Sequence, residues 1–280
     1  MKTLILLTII LLILILVLLF LLAPQRADSE AAKRFCGCRF AHRGLHAKDK
    51  SVPENSLAAF RDAVEAGYGI ELDIRFTKDE QIVVFHDDTL LRMCGLDRRV
   101  DSFTYEELKE FRLLDSDQGI PLFSEVLSLV SGRIPLLVEL KPGPKNDTLC
   151  SHAYEMLSKY CGDYCIESFH PMIVSWFRKN APQVLRGQLS APMAEFKTSL
   201  PKLSAFLLSN LLTNVLARPN FIAYHKGNTT FPVWLCQKLG ALRAVWTLRD
   251  TDFSVPPSSL TDRNELFGKN DMIIFEFFRP

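Results

Sequence analysis

The amino-acid sequence predicts an α/β protein, a (β/α)8 barrel of the TIM type preceded by a single N-terminal transmembrane helix. Three observations predict it. The N-terminus is almost wholly apolar, the remaining chain alternates short apolar runs with helical patterns, and two of those runs are too close together to be joined by a helix. Alternating strands and helices are typical of a parallel sheet, whose crossover connections need about a dozen residues or more.

The N-terminal run from Leu4 to Leu22 consists of Leu, Ile, Val and Phe, interrupted only by Thr8. A helix needs roughly 20 apolar residues to cross a bilayer, whereas the apolar part of a cleaved signal peptide has about 7–15. Pro24 directly after Ala23 is also unfavourable for cleavage. The sequence therefore favours a retained anchor over the alternative, a signal peptide.

Positive residues flank the apolar run on both sides, with Lys2 before it and Arg26, Lys33 and Arg34 after it. The positive-inside rule therefore does not decide which side of the membrane the rest of the chain occupies. We divide the chain into residues 1–23 as the transmembrane anchor, 24–33 as a tether, and 34–280 as the barrel domain.

Composition excludes one class of partner. The 33 Lys and Arg residues almost cancel the 32 Asp and Glu residues, so no overall field favours nucleic acid. The seven cysteines lack the paired Cys/His spacing of a zinc site, although one disulfide remains open in an oxidising compartment. The sequence does not indicate an oligomeric state.

Nine apolar runs qualify as strands, where a barrel has eight places. They are Arg39–His42, Ile70–Ile74, Ile82–His86, Leu136–Lys141, Cys165–Phe169, Arg186–Leu189, Phe221–Tyr224, Ala244–Leu248 and Met272–Phe277. The chain between Asp73 and His86 is too short for a crossover helix, so we expect a hairpin there. A turn centred on Asp79 and Glu80 would place Asp73 opposite His86. Without the returning strand, eight remain.

Helical patterns fill the gaps between the strands. Leu57, Phe60 and Val64 recur at helical spacing, and Gly67 is expected to end that helix. Thr104-x-x-Glu107 is a capping-box pattern. The range 206–216 is apolar on most sides, which predicts a buried crossover helix, or alternatively a membrane-contacting surface.

Charged residues interrupt two of the buried strands. Glu71 and Asp73 are two apart and therefore project from one face, and Glu139 and Lys141 repeat this pattern. Inward carboxylates in a barrel are costly unless a cation compensates them, which points to an oxygen-rich site for a divalent metal, Mg or Ca. The alternatives are that Glu71 and Asp73 face solvent, and that Glu139 and Lys141 form an ion pair at a strand end.

Two histidines lie where predicted strands end, the end of a barrel at which active sites gather. His42-Arg43-Gly44 combines a group that can give or take a proton, a phosphate-binding cation and a residue that lets backbone approach a ligand. His86 belongs to the same end, and two histidines flanking a phosphodiester suit general acid and base roles. We interpret the other four as surface or structural: His46, His152, His170 and His225.

Five ordered motifs closely resemble the signature of the glycerophosphodiester phosphodiesterase family. They are Ala41-His42-Arg43-Gly44, Pro53-Glu54-Asn55-Ser56, Glu71-Leu72-Asp73, Phe85-His86-Asp87 and Val138-Glu139-Leu140-Lys141. Ser168-Phe169 and Val245-Trp246-Thr247 extend the resemblance over nearly the whole chain after the tether. Such a resemblance, to a membrane-anchored member of bacterial type, implies a (β/α)8 barrel that hydrolyses glycerophosphodiesters to glycerol 3-phosphate and an alcohol.

The resemblance also implies roles for individual residues. His42 and His86 resemble the acid/base pair. The implied metal ligands are Glu71, Asp73 and Glu139. The implied substrate contacts are Arg43, Lys141 and Trp246, with Glu54 and Asn55 supporting the metal side.

The C-terminus departs from the family, whose members commonly finish with a segment similar to Ile-Ile-Thr-Asp-x-Pro. Here Phe275, Phe277 and Phe278 follow Ile273-Ile274. With the anchor, these aromatics suggest a lysophospholipid substrate and lysophosphatidic acid as product. The competing interpretation is that they only close the barrel. Two rival functions remain: a phospholipase of the same barrel type acting on intact lipid, and a catalytically silent, membrane-tethered lipid-binding protein.

Overall fold

Nine strands form one sheet in the computed structural model, which describes residues 1–196, 200–252, 268 and 270–280. The strands are β1 (Cys38–His42), β2 (Gly69–Phe76), β3 (Ile82–Val84), β4 (Leu136–Leu140), β5 (Tyr164–Ser168), β6 (Arg186–Ser190), β7 (Phe221–His225), β8 (Leu242–Arg249) and β9 (Met272–Glu276). Each predicted strand is confirmed, with ends that differ by at most two residues.

Eight of the strands close into a parallel barrel. Their order is β1-β9-β8-β7-β6-β5-β4-β2, and β1 pairs in parallel with β2 to complete the ring, with His42 beside Glu71. The predicted (β/α)8 barrel is therefore confirmed. Parallel strands place all their carboxyl ends at one rim, which we call the mouth.

The extra strand, β3, returns antiparallel to β2 as a hairpin, as predicted, but its predicted register was wrong by one residue. Phe85, not His86, lies opposite Asp73, to whose carbonyl oxygen it donates its N–H at 2.9 Å. The turn contains three residues between Thr77 and Gln81, with Glu80 at a φ of +59°. A left-handed residue is the usual feature of three-residue hairpin loops, whereas our prediction assumed an even-numbered turn.

Eleven helices are described outside the sheet. They are α1 (Lys2–Leu22), α2 (Ser29–Phe35), α3 (Leu57–Ala66), α4 (Leu91–Cys94), α5 (Tyr105–Leu108), α6 (Phe123–Val130), α7 (Asn146–Ser158), α8 (Pro171–Asn180), α9 (Lys202–Ser209), α10 (Asn214–Ala217) and α11 (Phe231–Lys238). Gly67 ends α3 with a φ of +74°, and the capping box at Thr104 is present. The single helix expected over 206–216 is broken, because Leu211 adopts a φ of +54°.

Side chains separate into two apolar layers that position the site. Outward residues of β2, such as Ile70 and Leu72, pack with Phe60 and other residues of the surrounding helices. Inside the barrel, Phe40 packs with Phe35 of α2 at the amino ends of the strands. The inward carboxylates of β2 therefore lie between this apolar cluster and the mouth.

The apolar helix α1 is long enough and apolar enough to cross a membrane, and a signal sequence would pass the same test. Part of the range predicted as a tether, 24–33, is helical, because α2 begins at Ser29. The Asp28 side chain caps that helix by accepting the N–H of Glu30.

Candidate active site

Four buried carboxylates meet near the mouth. β2 supplies Glu71 and Asp73, β4 supplies Glu139 and β5 supplies Glu167. Asp73 lies in register with Glu139, and Glu139 with Glu167, so three acids form a row across neighbouring strands. Each of the four is at most 6% exposed. The acids predicted on β2 and β4 are thus brought together, and Glu167 joins them.

This cluster carries more negative charge than its basic neighbours balance. Burial raises the pKa of Glu71, Glu139 and Glu167 above the usual range, and neighbouring carboxylates raise it further. Burial acts in the same direction on Asp73, but Lys141 and other nearby cations outweigh it and hold that pKa well below its usual range. The nearby cations therefore do not fully offset the burial and mutual repulsion of these three carboxylates.

The donor set fits a divalent cation. One carboxylate oxygen from each of Glu71, Asp73 and Glu139 lies within 4.8 Å of the others. Buried oxygen donors with surplus negative charge are what a hard cation such as Mg²⁺ or Ca²⁺ prefers. The same three residues were predicted as ligands from the sequence, and their ligand role stays a prediction.

Two cations and one amide border the cluster. Lys141 Nζ lies 2.9 Å from Asp73 Oδ1 and 2.8 Å from Glu139 Oε1. Arg43 Nε lies 3.4 Å from Asp73 Oδ2. Asn55 donates its Nδ2 hydrogen to the same Asp73 oxygen at 2.9 Å. The predicted phosphate contacts are therefore already held by carboxylates, which fixes their charged groups near the mouth.

The backbone after β1 turns sharply at this point. Arg43 has a φ of +56° and donates its N–H to Glu71 Oε2 at 3.0 Å. Gly44 follows with a φ of +84°, and a Cβ there would lie 2.8 Å from the Cβ of Ala59. Only glycine fits that close approach to α3, which explains the residue that ends the first motif.

His42 stands between two carboxylates. Its Nε2 lies 3.9 Å from Glu71 Oε2, and its Nδ1 lies 3.8 Å from Glu276 Oε1. Burial and the adjacent Arg43 lower the pKa of His42 to about 4, against the opposing effect of Glu276. The imidazole is therefore neutral at physiological pH and able to accept a proton.

His86 is supported by a chain of charged groups. Its Nδ1 lies 2.6 Å from Asp87 Oδ1, and Arg92 donates to Asp87 Oδ2 at 2.7 Å. Arg92 also donates two hydrogen bonds to Glu54, which accepts another from Arg43 Nη1 at 2.7 Å. Glu54 therefore links the two histidine motifs, and Arg92 is a site residue that the sequence analysis missed.

Glu276 was also missed, and of the two roles predicted for His46, surface or structural, its burial excludes the surface one. The His46 side chain is 7% exposed, and its Nε2 lies 3.1 Å from Glu276 Oε1. Arg249 Nε donates to Glu276 Oε2 at 2.7 Å. A sequence signal existed, because Glu276 lies at the carboxyl end of a strand, as His42 does.

The C-terminal phenylalanines do not form one apolar rim. Phe275 is 1% exposed and packs outside the barrel against Tyr68 and Phe278, at ring-centroid distances of 4.9 and 5.6 Å. Phe277 instead contacts His46 edge-on. This packing favours the interpretation that Phe275 and Phe278 close the barrel.

A different aromatic group borders the mouth. Trp246 of β8 stands edge-on to Phe169, with ring centroids 5.7 Å apart, and Phe169 contacts Phe196 in the same way. Trp246 donates its indole N–H to the carbonyl oxygen of Ala223 at 3.0 Å, so its polar atom is satisfied within the protein. Its ring is left for apolar contact. We call Phe169, Phe196 and Trp246 the aromatic rim.

We expect Glu276→Gln to lower kcat by about 10-fold with a smaller change in KM, because the amide loses the charge that faces His42 and His46. Steady-state kinetics on a soluble diester would measure this. Glu155→Gln, on the exposed surface of α7, is the matched control. Unchanged kcat in the Glu276 variant would show that this carboxylate does not support His42.

A parallel barrel with buried acids, two histidines and the cations Arg43 and Lys141 at its mouth has the architecture of a phosphodiesterase-type barrel. Residues 42–270 match the Glycerophosphoryl diester phosphodiesterase family, and the chain belongs to that family.

Relatives support this assignment. The chain is 36% identical over 163 residues to a glycerophosphodiester phosphodiesterase of Caldanaerobacter subterraneus, an alignment covering 53% of this chain and 65% of the relative. It is 30% identical over 141 residues to a human lysophospholipase D, covering 46% and 43%. The chain thus covers less than two-thirds of the length of these curated relatives.

Solved structures share the fold. An Oleispira antarctica phosphodiesterase, determined with the product sn-glycerol-3-phosphate, superposes with a TM-score of 0.67 at 21% identity, covering 87% of this chain and 94% of that one. A glycerophosphodiester phosphodiesterase from Thermotoga maritima gives a TM-score of 0.59 at 26% identity, covering 85% and 93%. At 21% identity, the first likeness concerns the fold alone.

Proposed function

We propose that this chain hydrolyses glycerophosphodiesters to glycerol 3-phosphate and an alcohol, with the help of a divalent cation. One observation carries the proposal: His42 and His86 both approach the buried cluster of Glu71, Asp73 and Glu139. His42 lies 3.9 Å from Glu71, and His86 directly follows Phe85, which is hydrogen-bonded to Asp73 across the hairpin. A phosphodiester held at the cluster would therefore lie within reach of both imidazoles.

Glu71, Asp73 and Glu139 would hold the cation, and Asn55 would keep Asp73 in place through its hydrogen bond. When bound, such a cation neutralises charge on the phosphoryl oxygens as it builds in the transition state. Arg43 and Lys141 would contact the remaining phosphate oxygens. Glu54 would orient Arg43 by accepting its hydrogen bond.

The two histidines have different surroundings, which supports different roles. His42 is neutral because its pKa is low, so we assign it as the base that takes a proton from the attacking hydroxyl or water. His86 is held in orientation by the hydrogen bond between its Nδ1 and the carboxylate of Asp87. We assign His86 as the acid that protonates the departing alkoxide.

Product analysis tests the proposal. The full chain, purified in detergent, is incubated with glycerophosphocholine, glycerophosphoethanolamine, lysophospholipid and diacyl phospholipid, and the products are identified by mass spectrometry. We expect glycerol 3-phosphate or its acyl derivative from the first three substrates. Cleavage confined to diacyl lipid would support the rival phospholipase, and no turnover of any diester would support a silent lipid-binding protein.

A lysophospholipid substrate is a second candidate, with lysophosphatidic acid as the product. The aromatic rim favours it, because Phe169 and Trp246 are partly exposed beside the mouth and are packed on the buried Phe196. The human relative is named a lysophospholipase D, which supports the same candidate. Trp246 would then border the glycerol and the start of the acyl chain.

We expect kcat/KM for a lysophospholipid to exceed that for its deacylated counterpart by about 10-fold, because each buried methylene contributes up to about 0.8 kcal/mol. The comparison is made below the critical micelle concentration. Trp246→Ala should reduce the ratio of the two kcat/KM values, whereas Trp176→Ala, on α8, should leave that ratio unchanged. A higher kcat/KM for the deacylated diester would exclude the lysophospholipid preference.

We further propose that α1 is a retained single-pass anchor, with residues 1–23 in the membrane and 34–280 as the catalytic domain. Leu22, at the end of α1, is fully buried against the barrel domain together with Ile222 and Val233. Cleavage after α1 would remove this side chain from the domain. Detection of the intact N-terminus in the mature membrane fraction, by mass spectrometry, would test this assignment.

A further inference from the structure

The last turn of α1 is fixed to the barrel domain by hydrogen bonds. Arg218 Nη1 donates to the carbonyl oxygens of Phe20 and Ala23, at 2.6 and 2.8 Å. Asn214 Nδ2 lies 3.3 Å from the carbonyl oxygen of Leu22. These oxygens belong to the carboxyl end of α1, where no helical partner is available. The domain itself therefore caps the apolar helix.

The chain stays attached to the domain immediately after α1. Gln25 donates its N–H to the carbonyl oxygen of Pro219 at 3.0 Å, and Asn220 Nδ2 donates to the Gln25 carbonyl oxygen at 3.0 Å. The buried Arg186 donates to the Gln25 side chain. These contacts leave no free linker between α1 and the barrel. The position of α1 therefore determines which side of the barrel faces the membrane.

Large apolar side chains are exposed on the helices around this attachment. They are Leu203 and Phe206 of α9, Leu216 of α10, and Phe231 and Trp234 of α11, with exposures between 45% and 69%. We call these five residues the anchor-side face. The helices α10 and α11 are also the ones that α1 contacts. Two of the three helices that carry this face therefore border the apolar helix.

Charge distinguishes this part of the chain from the rest. Residues 200–249 contain six Lys and Arg residues and no Asp or Glu, although the whole chain is nearly neutral. Lys202 and Lys238 are exposed next to the face, and Lys238 Nζ lies 6.0 Å from the centre of the Trp234 ring. Apolar and aromatic side chains bordered by cations are typical of elements that lie in a membrane interface.

We infer that the anchor-side face lies in the interfacial layer of the bilayer that α1 crosses, with Lys202 and Lys238 at the level of anionic headgroups. The barrel then rests on the membrane along α9, α10 and α11, instead of standing away from it on a tether. This inference depends on the proposed anchor role of α1.

The placement has a consequence for the mouth. Ala205 and Leu208 of α9 pack against Phe196, and Phe169 and Trp246 join the same cluster. The aromatic rim and the anchor-side face are therefore opposite sides of one helix. With the anchor-side face in the interface, α9 is the element that lies between the bilayer and the aromatic rim.

Tryptophan fluorescence in vesicles tests the inference. The chain has three tryptophans, so Trp176→Phe with Trp246→Phe leaves Trp234 as a native reporter that needs no change in the face. A second reporter is Phe206→Trp in a background without other tryptophans. Both proteins, full length, are reconstituted into vesicles of phosphatidylcholine and phosphatidylglycerol with brominated acyl chains, which quench nearby indoles.

We expect emission from residues 206 and 234 to fall by roughly two-fold or more, because interfacial side chains lie ~5–10 Å into the headgroup and acyl boundary. Leu91→Trp, exposed on α4, is the control and should keep its emission. Leu16→Trp reports on α1 itself. Quenching at 16 without quenching at 206 and 234 overturns the inference and indicates another occupant, such as a second copy of this chain. No quenching at 16 overturns both the anchor and the inference.

Discussion

Replacing His42 or His86 by alanine is expected to lower kcat by roughly 100-fold or more, the usual loss when a general acid or base is removed. The structure gives each residue a separate reason. His42 is neutral and lies 3.9 Å from Glu71, whereas His86 is held by Asp87 at 2.6 Å. Neither role can pass to the other residue, so each single variant should show the full loss in steady-state turnover of glycerophosphocholine.

His152→Ala is the matched control, because His152 is exposed on α7 and contacts only Phe76 among the ring pairs of the described residues. Circular dichroism and the melting temperature of each variant would establish that the barrel is intact. If either site variant turned over at near the wild-type rate with an unchanged fold, the acid/base assignment of that histidine would be wrong.

The activities of the two variants should also depend differently on the leaving group of the substrate. A diester whose leaving group is a good one, such as a nitrophenolate, needs little protonation as it departs. We therefore expect His86→Ala to lose much less activity on that substrate than on glycerophosphocholine, while His42→Ala stays impaired on both. The reverse pattern would exchange the two assignments.

The sequence predicted most of the barrel because its signals are local. Period-2 alternation placed Glu71 and Asp73 on the inner face of β2 and Ile70 on the outer one. The hairpin also followed from chain length alone. Its register did not, because it depends on the left-handed conformation of Glu80, a residue type that carries no strong preference for that conformation.

The missed site residues are those whose partners are distant in the chain. His46 contacts Glu276, 230 positions later, and Arg92 contacts Glu54 across two loops. No periodic pattern relates such pairs, so only the closed barrel brings them together. The docking of α1 was missed for the same reason, since Arg218 follows Phe20, whose carbonyl oxygen it caps, by 198 positions in the chain.

Removal of divalent cations by exhaustive chelation is expected to abolish turnover, and Mg²⁺ or Ca²⁺ should restore it better than Zn²⁺, because the donors are carboxylate oxygens. Turnover before and after dialysis against EDTA measures the first effect. Addition of each cation to the chelated enzyme measures the second. Full activity after chelation would contradict the proposed ligand role of Glu71, Asp73 and Glu139.

Stability provides a readout that does not depend on catalysis. Glu71, Glu139 and Glu167 have raised pKa values, so without a cation the folded state binds their protons more tightly than the unfolded chain does. Stability of the chelated protein should therefore fall as pH rises above the usual carboxyl pKa of about 4.3. Asp73, with its lowered pKa, exchanges its proton below this window. His42, whose pKa is lowered to about 4, opposes the trend up to its usual pKa of about 6.5, so the fall should be clearest above that pH.

A bound cation neutralises the buried carboxylates. Mg²⁺ or Ca²⁺ should therefore raise the melting temperature, and by more at pH 8 than at pH 5, where protons compete for the same oxygens. Glu139→Gln should reduce this increase, whereas Glu155→Gln, exposed on α7, should not. Loss of the increase in the first variant alone would locate the cation at the carboxylate cluster. An equal increase in both variants would place it elsewhere on the protein.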